Sequence, residues 1–264
     1  YKKSGYPEIS VLLPCWHSEE TIDGALNSIE NQRGLPSSVI VEIIVIVDGR
    51  KEDENAVRNW ISNKLNILRW PLTLVILPKN VGSGQARCIG YTYCNSDFIA
   101  FLDDDDIWHP EKLNFQWRWH LINPNYLISA HGYGKTELEK DITFRNLLIG
   151  GCAATPTLMI NRSLWKYKPE PYRYGEDWLL LAMASKTSPI RLLSFNYAWR
   201  SKKAPPLIQD LYSLSRKRLK LRQAKIICIF RLVYRRKLNI IWVLPLIIWN
   251  IILFFRRIIL DIIN

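Results

Sequence analysis

The stretch Asp97 to Pro110, reading DFIAFLDDDDIWHP, constrains this chain more than any other. Its apolar run, Phe98 to Leu102, fits a strand buried on both faces, because no polar residue alternates with the apolar ones. The run stops at four consecutive carboxylates, Asp103 to Asp106. Trp108 and the Pro110-Glu111 pair then mark the start of a helix. Four adjacent carboxylates repel one another, so such a loop is either fully solvated or faces something cationic. A hard divalent ion with a phosphate on its far side is the simplest cation that meets the need.

Three more strands precede this one. Ile9 to Leu13 is an apolar run ending at Pro14. Val39 to Val47 is β-branched and ends at Asp48-Gly49. Leu72 to Leu77 precedes a glycine-bearing loop, Lys79 to Gly84. Helices fall between them. Ser18 can cap the first, and Ile22, Ala25, Leu26 and Ile29 repeat at one-face helical spacing. A polar segment up to about Asn63 has helical character, and Gln85 to Cys94 reads as a helix. This alternation predicts a mostly parallel sheet with helices on both faces. In such sheets ligands bind beyond the carboxyl ends of the strands. The polar punctuation falls there four times: at Trp16-His17, at Asp48, at Asn80 to Gly84, and at the aspartates.

After Asn125 the alternation stops. Tyr126 to Ala130, Thr157 to Ile160 and Ile190 to Trp199 are strand candidates, and Gly150 to Ala153 is a loop of small residues. Glu176-Asp177 opens a helix running through Leu179 to Ser185. Arg200 to Pro206 is a basic, proline-ended linker in which Arg200 reads as solvated. The boundary set there divides a body, 1–206, from a tail, 207–264. The body has a nucleotide-binding half to about 110 and an acceptor half from about 111.

Charge supports the same division. Residues 1–210 hold 24 Lys+Arg and 23 Asp+Glu, while 211–260 hold 12 Lys+Arg and no acid. The five cysteines are scattered without a CxxC pair, so reduced thiols are expected and neither a zinc site nor a disulfide framework. The N-terminal apolar run is too short for a signal peptide. His17, His109, His120 and His131 are dispersed and read as structural.

Several motifs in order carry a resemblance: ISVLLPCWHSEETIDGALNSIENQ, VEIIVIVDG, NVGSGQARCIGYTYCNSDFIAFLDDDDIWHPEKL and GEDWLLLA. Over roughly residues 7–200 the chain resembles the family 2 glycosyltransferases of GT-A fold, which use nucleotide-sugar donors. The resemblance implies a Rossmann-like α/β sheet and specific roles. Pro14 and Trp16 would pack on the nucleotide base. Asp48 would contact base or ribose, although the family's usual doubled aspartate is here Asp48 followed by Gly49. Asn80, Gly82 and Arg87 would hold the donor, Arg87 near its phosphates. Asp105 would bind the metal, with Asp103 shared between metal and nucleotide and Asp104 against the nucleotide. Four aspartates in a row allow this register to slip by one. The implied donor is a nucleoside-diphosphate sugar, with a UDP-sugar favoured, and the implied cofactor is Mn²⁺ or Mg²⁺.

The chemistry asks for such residues independently. A departing nucleoside diphosphate needs a Lewis acid, and these ions take carboxylates, phosphate oxygens and water. Attack from the opposite face needs a base for the acceptor hydroxyl's proton. By resemblance that base is Asp177, with Glu176 on an acceptor hydroxyl, and the outcome is inversion at the anomeric carbon. Each pick has a plainer rival. Glu176 and Asp177 also suit a helix N-terminus, Trp16 could be core, and Asn80 and Gly82 could merely shape a turn.

In the tail, Leu207, Leu211 and Leu214 share a helical face, and six Lys or Arg lie between 216 and 225. Leu238 to Phe255 is an 18-residue apolar stretch flanked by Arg235-Arg236-Lys237 and by Arg256-Arg257. As a helix it would reach about 27 Å, at the low edge of a roughly 30 Å hydrocarbon core. Trp242, Pro245 and Trp249 suit helices lying in the interface. The expectation is peripheral attachment to an anionic cytoplasmic leaflet, with a single span as its rival and a helix packed on its own domain or on a second copy as the plainer reading. The acceptor expected is a lipid-linked or envelope glycan. Two other readings compete. One is a sugar-1-phosphate nucleotidyltransferase, against which PCWHSEE stands where a Gly-rich, Arg-containing loop would open. The other is a non-catalytic polyanion- or membrane-binding protein, against which the basic run lacks stacking aromatics and the body keeps every acid the chemistry needs. No nucleic-acid partner is expected.

Overall fold

The computed structural model describes residues 7–18, 20–49, 62–63, 68–135, 137–149, 153–167 and 176–202, and positions 244, 248, 251, 252 and 255; side chains are described for these except at 148–149, 165–167 and 176–179. Nearly all of the helical segment expected up to about Asn63, the core of the Gly150 loop, the linker past Lys202 and almost all of the tail lie outside that set; Ser62 and Asn63 are helical.

The first half alternates as predicted: β1 (Ile9–Cys15), α1 (Ile22–Glu30), β2 (Val41–Val47), β3 (Leu72–Ile76), α2 (Ser83–Tyr91) and β4 (Phe98–Phe101). A short β5 (Asp106–Trp108) follows, then α3 (Lys112–Ile122), β6 (Ile128–Tyr133), β7 (Lys140–Ile142) and α4 (Phe144–Ile149). Last come β8 (Met159–Asn161), α5 (Glu176–Ala184) and β9 (Ile190–Arg200), with 3₁₀ turns at Thr155–Thr157 and Arg162–Tyr167.

These strands form one sheet in the order β3-β2-β1-β4-β8-β6-β9-β5, with β7 also on β9. β1 pairs in parallel with β2 and β4, and β2 with β3. β6 and β9 are parallel as well. The ladders β4–β8, β6–β8, β5–β9 and β7–β9 are antiparallel. The sheet is therefore mixed, a correction to the mostly parallel sheet expected. Strand–helix alternation, which forces parallel pairing, runs only to β4. Later strands come from irregular chain, and three-residue β5, β7 and β8 enter in the opposite sense.

Apolar runs form the central strands because helices cover both faces. On one side Ile9, Val11 and Leu13 of β1 and Ile43 and Val45 of β2 pack with Ile22, Leu26 and Ile29 of α1 and Leu113 of α3. On the other, Leu12, Ile44 and Ile46 pack with Ala86 of α2 and Leu181 of α5. Gly90 of α2 marks a close approach of helix to sheet: a Cβ there would stand 2.4 Å from Ile46 Cδ1 and 2.6 Å from Leu12 Cδ1.

α1 begins at Ile22 with Thr21 ahead of it and no side-chain cap, so Ser18 is not the cap expected. Gln32 joins α1 to the next layer. Its amide donates to Ser28 O (3.0 Å) and His109 O (2.8 Å), and its oxygen accepts the Leu113 N–H (2.8 Å). Under α3 lies a buried polar layer. Gln116 donates to Ser129 Oγ and Thr157 O, both at 3.0 Å, and Ser129 Oγ meets His120 Nε2 at 2.9 Å. Lys112 is fully buried, its Nζ 3.8 Å from the centre of the Trp108 ring. These contacts anchor β5, and with it the acidic run, from behind.

Leu244, Ile248, Ile251, Ile252 and Phe255 are helical. Ile251 packs against the α2/α5 side of the core, whereas Leu244, Ile248, Ile252 and Phe255 are each about half exposed. Among the described residues no helix is long and apolar enough to cross a membrane.

Candidate active site

The order β3-β2-β1-β4 puts a topological switch at β1, where crevices form beyond the carboxyl ends of the strands. A cavity of about 390 Å³ opens there. Pro14 and Trp16 lie at the end of β1, Asp48 follows β2, Asn80 and Gly82 lead into α2, and Arg87 lies on α2. Asp103, Asp104 and Asp105 follow β4. All nine residues predicted for donor and metal line this one cavity. Cys15 and Ser83 line it too. The sequence singles out neither, and adjacency to Trp16 and Gly82 is the only signal it gives for them.

Asp48 is buried, and both of its oxygens are engaged. Oδ1 accepts the Val81 N–H at 2.7 Å and Oδ2 the Gly82 N–H at 2.8 Å. The carboxylate thus shapes the glycine loop as well as facing the cavity. Gly49, at φ +82°, lets the loop come close: a Cβ there would lie 2.0 Å from Asn80 N. Trp16 is 54% exposed, with its ring edge-on to His17 at 4.6 Å between centroids. An indole left open at a cavity mouth is a surface for stacking rather than core.

The four aspartates coexist because a turn fans them out toward four different elements. Asp103 pairs with the Arg87 guanidinium. Asp104 Oδ2 accepts the Trp16 N–H at 3.0 Å. Burial pushes Asp104 up to about 6, opposed by bonds from the Trp16 N–H and the Ser18 hydroxyl and reinforced by Asp105 and Asp103. Asp105 pairs with Arg200 at 2.8 Å, and its backbone oxygen accepts the Ser201 N–H at 2.8 Å. Arg200 is therefore not simply solvated, as the basic linker implied. The β5–β9 ladder, which sets Asp106 opposite Arg200, brings it to the acidic turn. Asp106 is 4% exposed and accepts a hydrogen bond from the Tyr133 hydroxyl. Burial pushes it up to about 7, with the Tyr133 bond acting against the shift. It belongs to β5 and is not among the residues lining the cavity.

The donor set can be tested against a divalent metal. Among the described residues no three His, Cys, Asp or Glu side chains converge as a self-sufficient metal site would need. Mg²⁺ and Mn²⁺ do not need one: they bind through one or two carboxylates and complete their shells with water and substrate phosphates. Asp105 and Asp103, on the wall of a cavity with room for a diphosphate, fit that mode. Glu176 and Asp177 are the first two residues of α5, as predicted, and α5 packs against α2. Their side chains are outside the described set.

Residues 10–187 match the sequence profile of glycosyl transferase family 2. An Escherichia coli relative, UDP-Glc:alpha-D-GlcNAc-diphosphoundecaprenol beta-1,3-glucosyltransferase WfgD, is 23% identical over 205 residues, covering 72% of this chain and 74% of the relative. Staphylococcus aureus TarS 1-349, solved in complex with UDP-GlcNAc, superposes with a TM-score of 0.61 at 21% identity, covering 84% of this chain and 66% of that one. The mannosyltransferase PcManGT from Pyrobaculum calidifontis, solved with GDP-Man and Mn²⁺, superposes at 0.58 and 15% identity, covering 87% and 65%. This chain thus spans about two thirds of each of these two solved structures. The likenesses agree with the fold, and the profile match spans well over half the chain: it belongs to glycosyl transferase family 2.

Proposed function

We propose that this chain transfers a sugar, with inversion, from a nucleoside-diphosphate sugar to a hydroxyl of a lipid-linked or envelope glycan. The observation that carries the reading is the single cavity lined by all nine residues expected of a donor site. Trp16 offers its open face to the base, beside Pro14. Asp48 holds the loop that presents Asn80 and Gly82. Arg87 supplies positive charge toward the phosphates and steadies Asp103. Asp105, with Asp103, would hold Mn²⁺ or Mg²⁺, which when bound supplies Lewis-acid stabilisation of the departing diphosphate. Asp177 takes the proton of the acceptor hydroxyl while that oxygen attacks C1 from the face opposite the diphosphate. The bond from C1 to the diphosphate oxygen breaks, and its electron pair leaves with the nucleotide. Glu176 orients the acceptor by a hydrogen bond.

A uridine nucleotide is favoured, since the E. coli relative is named for UDP-Glc and TarS was solved with UDP-GlcNAc. The relative's name also gives a diphosphoundecaprenol-linked acceptor, which supports a lipid-linked one here. Peripheral attachment of 207–264 to an anionic cytoplasmic leaflet would bring the cavity to such an acceptor. It is supported by 12 Lys+Arg without an acid across 211–260 and by the half-exposed Leu244, Ile248, Ile252 and Phe255. Each basic residue near such a surface contributes about 1 kcal/mol.

The test is release of nucleoside diphosphate from a panel of nucleotide sugars with Mn²⁺ or Mg²⁺, together with calorimetric donor binding. Asp105→Ala should abolish metal-dependent binding and release. Asp177→Asn should keep donor binding and lose transfer. If no nucleotide sugar binds the wild type in a metal-dependent way, the reading fails.

A further inference from the structure

Arg200 and the metal proposed above would both claim Asp105. The Arg200 guanidinium lies 2.8 Å from Asp105 Oδ2, with the two side chains 28% and 29% exposed. The pair is framed on both sides: β5 and β9 set Asp106 opposite Arg200, and the Ser201 N–H holds the Asp105 carbonyl at 2.8 Å. We propose that Arg200 is a positioning residue that serves as the resident cation on Asp105 until a divalent ion takes its place, so that it sets how tightly the donor site holds metal.

The argument is electrostatic. Asp103, Asp104 and Asp105 share one turn at the cavity wall. Asp103 is balanced by Arg87 and Asp105 by Arg200, each arginine from a separate element. A divalent ion approaching Asp105 meets a carboxylate already neutralised, and the nearby guanidinium repels it. Binding of metal alone is thereby weakened. Metal arriving with a diphosphate brings its own anionic charge and is penalised less, so the site favours the metal–donor complex over the bare ion. The inference rests on the metal-dependent donor reading above.

The experiment measures binding of Mn²⁺ alone to the full chain, from the loss of the free-ion electron paramagnetic resonance signal. The proteins are wild type, Arg200→Gln, Arg200→Lys and Asp105→Asn. A partly exposed pair is worth up to about 1 kcal/mol, so Arg200→Gln should tighten Mn²⁺ by about threefold to fivefold. Arg200→Lys keeps the charge and should stay near wild type, which separates charge from any damage to the β5–β9 ladder. Equal or weaker Mn²⁺ binding in Arg200→Gln overturns the proposal. Asp105→Asn separates the two layers of the argument. If it leaves Mn²⁺ binding unchanged, the metal reading of this site fails. If it abolishes binding and Arg200→Gln does not tighten it, only the role of Arg200 fails.

Discussion

Replacing Asp48 with asparagine should cost this protein much of what replacing it with alanine costs. Both carboxylate oxygens accept backbone N–H groups, from Val81 at 2.7 Å and Gly82 at 2.8 Å, at a side chain only 3% exposed. Hydrogen bonds to a charged group contribute about 1.5–3 kcal/mol each. Asparagine has one acceptor oxygen. Its NH₂ would face the second N–H, donor against donor, so one bond is lost and a repulsion is added. The expected loss is about 2–4 kcal/mol for Asp48→Asn and, with both bonds gone, about 3–6 kcal/mol for Asp48→Ala. Donor affinity should fall in both, because the loop that loses its anchor carries Asn80 and Gly82 and leads into the helix bearing Arg87. Urea denaturation followed by tryptophan fluorescence gives the stability, and calorimetry gives the donor affinity. A residue whose only partner was the nucleotide would lose affinity without losing stability. A change below about 0.5 kcal/mol in Asp48→Asn, the usual range for an uninvolved surface site, would refute the reasoning.

Three further perturbations probe other parts of the fold. Gly90→Ala inserts a methyl 2.4 Å from Ile46 Cδ1 and should cost about 1–3 kcal/mol by overpacking, read in the same denaturation experiment. Trp16→Ala should weaken nucleotide binding and leave the melting temperature unchanged, since the ring is 54% exposed. Burial lowers His120 to about 4, so the folded state takes up its proton at lower pH than the unfolded chain does, near 6.5. Its contribution is complete above pH 6.5 and is lost as pH falls toward 4. At about 1.4 kcal/mol per pH unit, His120→Asn should remove about 2–3 kcal/mol of the stability change across that window. Buried Asp104 and Asp106 titrate in the opposite sense, so the comparison is between slopes of wild type and mutant, and equal slopes would refute it.

The central strands were legible because their environment is written locally. Val41 to Val47 is apolar but for Glu42 since helices cover both faces, and no distant residue is needed to see that. The cavity was legible for a related reason: the strands of such a sheet open onto a crevice at their carboxyl ends, so polar residues just past several strands collect in one place. What stayed hidden depends on partners far along the chain. β5 is three residues long and begins inside the acidic run, and only its ladder with the distant β9 makes it a strand. The same ladder removes Arg200 from its basic linker and sets it on Asp105. Lys112, just past the Pro110-Glu111 helix start, is fully buried over Trp108, and no local pattern signals that burial. Asp48 reads as a strand-end acid, while the N–H groups it holds come from the loop after a different strand.

The acidic run shows why those partners matter to function. As a string of four letters its aspartates are interchangeable, and a register slipped by one is equally acceptable. Their partners make them unequal. Asp106 is buried in β5 against Tyr133, outside the cavity lining, so its substitution acts on the scaffold. Asp103 and Asp105 line the cavity with arginines beside them. Asp104 fastens the turn to the backbone after β1. Repulsion among adjacent carboxylates is relieved when each is given its own neighbour. That same fanning leaves Asp103 and Asp105 on the cavity wall, where the proposed divalent ion would sit between protein and diphosphate.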